Sequence, residues 1–447
     1  MPLRLIVTYG NYGKSPLTEQ EKDLPMGGCK SALLALSTEL ARRGHNVHVF
    51  AEGAPRVQRD GVYFYERGEF ACFCRTYLPD VLIIIPEMLP LLLPVRARAR
   101  VVWTGNTSRQ GDYGLVAPWV WEKDLGRKGE YARLYSTALL WPYADRFVVK
   151  SQWQARNMSK KFGIPHSKFT VAYNGVPLEY YQGPAPARHR YRLVYASQAR
   201  RGLGPLLRLF PQLRAAVPEV ELHIFGYEFD DSETLRKVQA GFPEASQPGI
   251  CWRGCLSKSA LARELRSAAL MAYPCTFPET FCTAVAEAQA AGLPVVTSTK
   301  GSLAERVSNG VDGFLIPGTP ETSPEYEAAF VKAVVRLLKD EDLWTQMGRE
   351  AAKKAQRIHN WDVVAAGWEE ELTRLVAGRE PLPPRLEPGL NLLDPSLVTV
   401  EEKGGSVQVP GALAREWLRT AWASYGYGPE TIPVLPREDA KLEVAVS

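Results

Sequence analysis

Apolar positions along the chain fall into short continuous runs separated by longer periodic ones. Residues 3–8, 47–51, 81–85, 101–103 and 147–149 are nearly unbroken apolar stretches. Between the first two, residues 30–43 place Leu33, Leu34, Leu36, Leu40 and Ala41 at helical spacing, with Arg42 and Arg43 in the last turn and Gly44 as the stop. Such alternation predicts a parallel sheet covered by helices on both faces. Asn174-Gly175 and residues 182–189, with Gly183, Pro184 and Pro186, read as a linker. The alternation then restarts, with strands over 192–196, 220–225, 270–274 and 294–297. Helices are expected over 204–216, 261–268, 283–291, 326–338, 343–358 and 361–376. The fold class is therefore α/β, two Rossmann-like parallel-sheet domains spanning 1–185 and 186–360, with binding chemistry at the carboxyl ends of their strands. Residues 381–447 hold nine prolines and one helix expected at 412–425, carrying Trp417 and Trp422. They read as an extension that wraps the body or contacts a partner, and a route to an oligomer.

Composition narrows the class. At 447 residues, 45% hydrophobic and 23% charged, the chain is too apolar for disorder and long enough for about two or three domains. Its 36 Gly and 34 Pro follow no collagen-like period. The net charge of +5 is a weak bias that suits an anionic nucleotide or lipid head group and does not call for nucleic acid. Seven cysteines (Cys29, Cys72, Cys74, Cys251, Cys255, Cys275, Cys282) cannot all pair, and they read as reduced, mostly buried thiols in a cytosol. Residues 3–7 are too short for a signal-peptide core. Residues 81–95 are interrupted by Pro86, Glu87, Pro90 and Pro94, and fall short of the roughly 20 apolar residues of a membrane helix. The expectation is a cytoplasmic protein, with peripheral membrane contact open. Arg96, Arg98 and Arg100 could face an anionic lipid, but a solvated edge is the better reading.

Several motifs carry less chemistry than their letters suggest. Gly10-Asn11-Tyr12-Gly13-Lys14-Ser15 resembles the end of a P-loop, but Thr8 stands where the first Gly is needed and Pro16 interrupts the helix start. No Gly-x-Gly-x-x-Gly follows any strand. Asp340-Glu341-Asp342 spells a metal-binding Asp-x-Asp, yet its place before a helix suits a cap better. Cys251 and Cys255, with Cys275 and Cys282, lack a histidine placed to complete a zinc site, and no metal is expected. His45 reads as structural.

Three segments are more informative. Gly27-Gly28 ahead of a helix lets backbone N–H groups approach a diphosphate, although a tight turn explains them as well. Ser197-Gln198-Ala199-Arg200-Arg201-Gly202-Leu203 ends a strand in a loop with two guanidinium groups, which match phosphate oxygens bidentately. Glu279 precedes a helix that carries Glu287 two turns later, no more than about 12 Å along the axis. That spacing is too long for an acid–base pair on one bond. It fits two hydroxyl-bearing sugars separated by a diphosphate, with the helix start at Phe281, Cys282 and Thr283 facing the phosphates. Trp103, Tyr113, Trp119, Trp121 and Trp141 could stack on a carbohydrate or fill the core.

On these residues the chain resembles the retaining nucleotide-sugar glycosyltransferases of family four, over about residues 1–376. The resemblance rests on Gly27-Gly28, Arg43-Gly44-His45-x-Val47, Tyr173-Asn174-Gly175-Val176, Arg201-Gly202-Leu203 and, most specifically, Glu279-x7-Glu287 with Gly292-Leu293-Pro294-Val295-Val296. It implies a GT-B fold, two domains facing across a cleft, with residues 361–380 crossing back to the first. It implies a nucleoside-diphosphate sugar as donor on the second domain, a carbohydrate or lipid-linked acceptor on the first, no cofactor and no protein-bound metal. Glu279 would hold the donor sugar, Glu287 the ribose, Arg201 with Arg200 the leaving diphosphate. Gly28, Ser197, Phe281, Cys282 and Thr283 would line the donor, and main chain around Arg253 would read its base. The chain departs from the family pattern at Thr280 and Cys282, where glycines are common, and at Ala196, where an arginine is. Thr104-Gly105-Asn106 stands where a histidine usually approaches the reacting sugar, so Asn106 is the candidate near the reaction centre. These departures keep a catalytically silent sugar-nucleotide binder or scaffold as the alternative. An epimerase on the same two-domain plan accounts less well for the Glu279–Glu287 segment.

Overall fold

The computed structural model describes residues 1–9, 23–85, 87–105, 140–184, 186–226, 232–242, 246–381, 405–410, 419–420, 422–428 and 441–446. The Gly-Lys-Ser stretch at 10–15, Asn106, Tyr113, Trp119, Trp121, Trp417 and most of the helix expected at 412–425 lie outside the described residues. The chain divides into two compact units. The first comprises residues 1–19, 35–172 and 365–447, the second residues 20–34 and 173–364.

In the first unit, eight strands form one sheet. They are β1 (Arg4–Tyr9), β2 (Asn46–Ala51), β3 (Val57–Arg59), β4 (Val62–Glu66), β5 (Val81–Ile85), β6 (Ala99–Trp103), β7 (Arg146–Val149) and β8 (Phe169–Val171). Their order is β3-β4-β2-β1-β5-β6-β7-β8, and every pairing is parallel except the β3–β4 hairpin. Both faces of β5 and β6 are buried along their length, which is why these runs are apolar without alternation.

Arg98 and Arg100 do not lie on a solvated edge as expected. Strand β6 is interior, so Arg100 is fully buried and its Nη2 donates to the Val95 carbonyl at 2.8 Å. Arg98 Nε donates to the Arg379 carbonyl at 2.6 Å, and only Arg96 of the three is exposed. Trp103 is core, edge-on to Trp368 at 5.0 Å, and Trp141 is half-buried. His45 is structural: the Leu3 amide donates to its Nδ1 at 3.0 Å, and its Nε2 lies 3.4 Å from Glu369. Part of the C-terminal extension docks into this unit. Trp422 and Tyr425 are fully buried, and the Ala71 amide donates to the Tyr425 carbonyl at 3.0 Å. Two further strands, Gly405–Pro410 and Lys441–Val446, pair antiparallel with each other.

The second unit holds β9 (Arg192–Ala196), β10 (Glu221–Phe225), β11 (Ile250–Gly254), β12 (Leu270–Tyr273), β13 (Val295–Ser298) and β14 (Gly313–Ile316). The sheet is wholly parallel, in the order β11-β10-β9-β12-β13-β14. The residues read as a linker pack within this unit, where Arg266 donates to the carbonyls of Gln182, Gly183 and Pro184. Asp340 caps the helix Glu341–Ile358, accepting from the Leu343 amide at 3.0 Å. The expectation of mostly buried thiols is corrected. Cys275 and Cys282 are buried, Cys29, Cys74, Cys251 and Cys255 are half-buried and Cys72 is exposed. Cys251 lies on the edge strand β11 and Cys255 just beyond it.

Candidate active site

The strand order of the second unit reverses between β9 and β12. Successive connections leave in opposite directions there, so a crevice opens at the carboxyl ends of these two strands. The loop after β9 carries Ser197 to Gly202, and the loop after β12 carries Pro274 to Cys282. The two candidate segments, about 80 residues apart in sequence, are thus adjacent because of the winding.

Close approach of the loops depends on Gly202. Its φ is +141°, and a Cβ there would stand 2.3 Å from the Pro274 carbonyl oxygen, so a side chain would force the loops apart. The Thr276 amide donates to the Arg201 carbonyl at 3.0 Å and ties them together. Across this seam Arg201 Nη1 donates to Glu279 Oε1 at 2.9 Å, and the Tyr273 hydroxyl donates to the same oxygen at 2.8 Å. Glu279 is 5% exposed at its side chain and Arg201 22%. Gln198 Oε1 accepts from Arg201 Nε at 3.0 Å and from Arg200 Nε at 3.2 Å, aligning the two guanidinium groups. Arg201 also lies 4.6 Å over the Phe277 ring. Burial opposes its charge, but Glu279 and its neighbours outweigh burial and raise the pKa. Ser197 Oγ sits 3.4 Å from the Tyr273 hydroxyl. Ser197, Arg200, Arg201 and Glu279 are therefore one constellation.

Glu279 is followed by a turn that launches the helix Thr283–Ala290. Cys282 is its N-cap, at φ 67° and ψ 80°, a left-handed conformation that a non-glycine residue adopts at a cost of about 1–3 kcal/mol. The position commonly glycine in the family thus keeps glycine-like geometry with a cysteine in it. Cys282 supplies no side-chain cap to the helix. The Phe281 side chain points inward, edge-on to His359 at 5.5 Å, so only its main chain is placed for a ligand. Gly28 opens the helix Gly28–Arg42 and faces Thr283: the position of a Cβ on Gly28 is 3.4 Å from Thr283 Oγ1. Two helix starts therefore converge, which concentrates N–H groups and partial positive charge at one spot.

Glu287 lies half-buried within the same helix. Burial pushes its carboxyl up to about 7, against the pull of Lys258 in the other direction. Burial likewise lowers the Lys258 pKa, while Glu287 supports its charge. Lys258 begins the helix Lys258–Ser267, and that helix start is clamped to residue 23. The Ser259 amide and hydroxyl donate to the two Asp23 carboxylate oxygens, each at 2.7 Å, and the Lys258 amide donates to the Asp23 carbonyl at 2.8 Å. Arg253 stands apart. It is on edge strand β11, and its guanidinium pairs with Glu264 at 3.4 Å. Sequence reasoning missed Tyr273, Gln198 and the Asp23–Ser259 clamp. Of these, only Tyr273 carried a signal, standing at the carboxyl end of a strand six residues before Glu279.

Among the described residues no helix is long and apolar enough to cross a membrane. Two family models match the chain, one for Glycosyltransferase Family 4 over residues 26–180 and one for Glycosyl transferases group 1 over residues 190–340. A D-inositol 3-phosphate glycosyltransferase of Streptomyces bingchenggensis is 28% identical over 250 residues, 50% of this chain and 51% of the relative. The chain thus spans about half the length of that relative. A phosphatidyl-myo-inositol mannosyltransferase of Mycolicibacterium smegmatis is 24% identical over 77% of this chain and 89% of its own. Among solved structures, a sucrose-phosphate synthase of Thermosynechococcus elongatus shares the fold with a TM-score of 0.64 at 16% identity, covering 84% of this chain and 100% of that one. Anabaena HepE in complex with UDP-glucose shares it with a TM-score of 0.57 at 15% identity, covering 83% and 99%. With its two parallel sheets and a family model on each half, the chain belongs to the group-one, family-four glycosyltransferases of GT-B fold.

Proposed function

We propose that the protein transfers a hexosyl unit, with retention at the anomeric carbon, from a nucleoside-diphosphate sugar to a hydroxyl of a carbohydrate or lipid-linked acceptor. The observation that carries this reading is the Arg201–Glu279 pair at the β9/β12 switch point, beside the converging helix starts at Gly28 and Thr283. Glu279 Oε1 is held by Arg201 and Tyr273, while Oε2 has no partner among the described residues and can accept from hydroxyls of the donor sugar. Arg201 and Arg200 face the diphosphate, Glu287 the ribose, and main chain near Arg253 the base. The fold-level likeness to a UDP-glucose complex supports this kind of donor.

In the reaction the anomeric C–O bond breaks and the leaving diphosphate oxygen keeps the electron pair. The acceptor oxygen bonds to the same face of the sugar, and its proton passes to the departing phosphate. Charge grows on that phosphate in the transition state, so guanidinium groups already fixed by Gln198 lower the barrier without reorganising. Removing one such donor typically costs about 10²–10³ in kcat. The relatives' names make an inositol phosphate and a phosphatidylinositol the first acceptors to assay. The test is Glu279→Ala: transfer falls at least about a hundredfold while the circular dichroism spectrum is unchanged. Turnover at the wild-type rate refutes the reading.

A further inference from the structure

Arg306 ends the short helix Leu303–Arg306 and is fully buried. Its guanidinium lies 3.6 Å over the Tyr173 ring and 5.0 Å from the Phe281 ring. Among the described residues none of its three side-chain nitrogens has a hydrogen-bond acceptor. Burial lowers its pKa; the neutral Tyr173 hydroxyl beside it acts most in the other direction, and the carboxylate of Glu305 acts after that, without an ion pair. Asp312 is taken by Lys354 at 2.7 Å. His359, also buried here, is pushed down to about 3 and stays neutral. An aromatic sandwich offsets part of the desolvation of a cation, but a buried charge with no counter-charge remains costly. The location of this unmatched charge is specific. Phe281, which covers the guanidinium, directly precedes Cys282 and Thr283, the turn assigned above to the phosphates.

We propose that Arg306 is the buried counter-charge of the donor's diphosphate, acting through the Phe281–Thr283 turn without touching the ligand. The proposal rests on the donor reading above. A low-dielectric layer of Phe281 and backbone separates the two charges, and across it their attraction is screened far less than in water. Arg306 is thus a positioning and electrostatic residue, whose desolvation is offset only when an anion occupies the turn.

The test compares Arg306→Met with Arg306→Lys, using as probe whichever of UDP, GDP and ADP binds the wild type most tightly, together with the matching nucleoside. The Met variant is expected to bind the diphosphate about tenfold more weakly, or worse, and the nucleoside unchanged. Its ligand-free melting temperature stays equal to or rises above the wild type, since an apolar side chain replaces an unpaired charge. The Lys variant, which keeps the charge, binds the diphosphate nearly as the wild type does. Arg306→Gln gives the same comparison if the Met variant does not fold. A neutral variant that binds the diphosphate as tightly as the wild type overturns this inference alone. So does one that loses nucleoside and diphosphate equally, the mark of a merely structural role. A wild type that binds none of the three diphosphates overturns the donor reading and this inference with it.

Discussion

Arg201 Nη1 lies 2.9 Å from Glu279 Oε1, so the groups assigned to the two sides of the reacting bond neutralise one another in the free protein. Both are largely withdrawn from water, and taking away one partner leaves the other as a buried charge. Arg201→Met should therefore destabilise the fold by about 3 kcal/mol in urea denaturation, and Arg201→Met with Glu279→Leu should recover most of it. Both proteins should lose transfer. A double variant whose loss equals the sum of the two single losses would show that the two side chains act independently.

Glu287 should give the proposed donor site a pH dependence. Burial penalises the charged form of its carboxyl and pushes it up to about 7, above the ordinary carboxylate range. The stability it contributes is complete below about pH 4.5 and declines as pH rises to about 7. Ligand-free Glu287→Gln should therefore exceed the wild type in stability at pH 8, by at most about 3 kcal/mol, and match it near pH 4. Donor binding needs the opposite charge state, since a carboxylate accepts ribose hydroxyls better than a neutral acid. The donor KM should rise as pH falls through about 7 in the wild type and be flat there in the Gln variant, as steady-state kinetics can record.

Asp23 holds the approach to Gly28 against the helix Lys258–Ser267 through two 2.7 Å bonds from Ser259. Asp23→Ala should raise the donor KM about three- to tenfold, the equivalent of one lost charge-assisted bond, and leave kcat within twofold. Ser259→Ala should do the same to a smaller degree, because the amide bond to Asp23 survives it. A fall in kcat with KM unchanged would contradict the positioning role.

Trp422 brings the C-terminal extension into the core of the first unit, where it is fully buried with Tyr425. Trp422→Ala should cost about 3–5 kcal/mol by thermal or urea unfolding. An unchanged midpoint would mean that the extension is dispensable to the fold.

Much of this architecture is legible in the sequence because parallel strands buried on both faces must be apolar throughout, as residues 81–85 and 270–273 are. The β3–β4 hairpin went unread, because its strands are short and half polar, although Asp60-Gly61 form its turn at φ 49° and 80°. Arg98 and Arg100 mislead because charge at a strand reads as an edge, and only the sheet order shows that β6 is interior. Site residues were recognisable one by one, from residue type and position relative to strand ends. Their pairing was not, since Arg201 meets Glu279 across 78 residues and Asp23 meets Ser259 across 236. Tyr273 was hidden for a different reason: an aromatic at the end of an apolar strand looks like core until its hydroxyl is found on Glu279.

On the proposed function, one nucleotide sugar lies along the second unit, with its hexose on Glu279, its diphosphate at Arg201 and the Thr283 turn, and its ribose on Glu287. A crystal structure with a non-transferable donor analogue is the decisive test. A sugar hydroxyl is expected within hydrogen-bond distance of Glu279 Oε2, and ribose hydroxyls at the Glu287 carboxylate. An analogue bound in any other part of the chain, or at this site with neither carboxylate in contact, would contradict that placement.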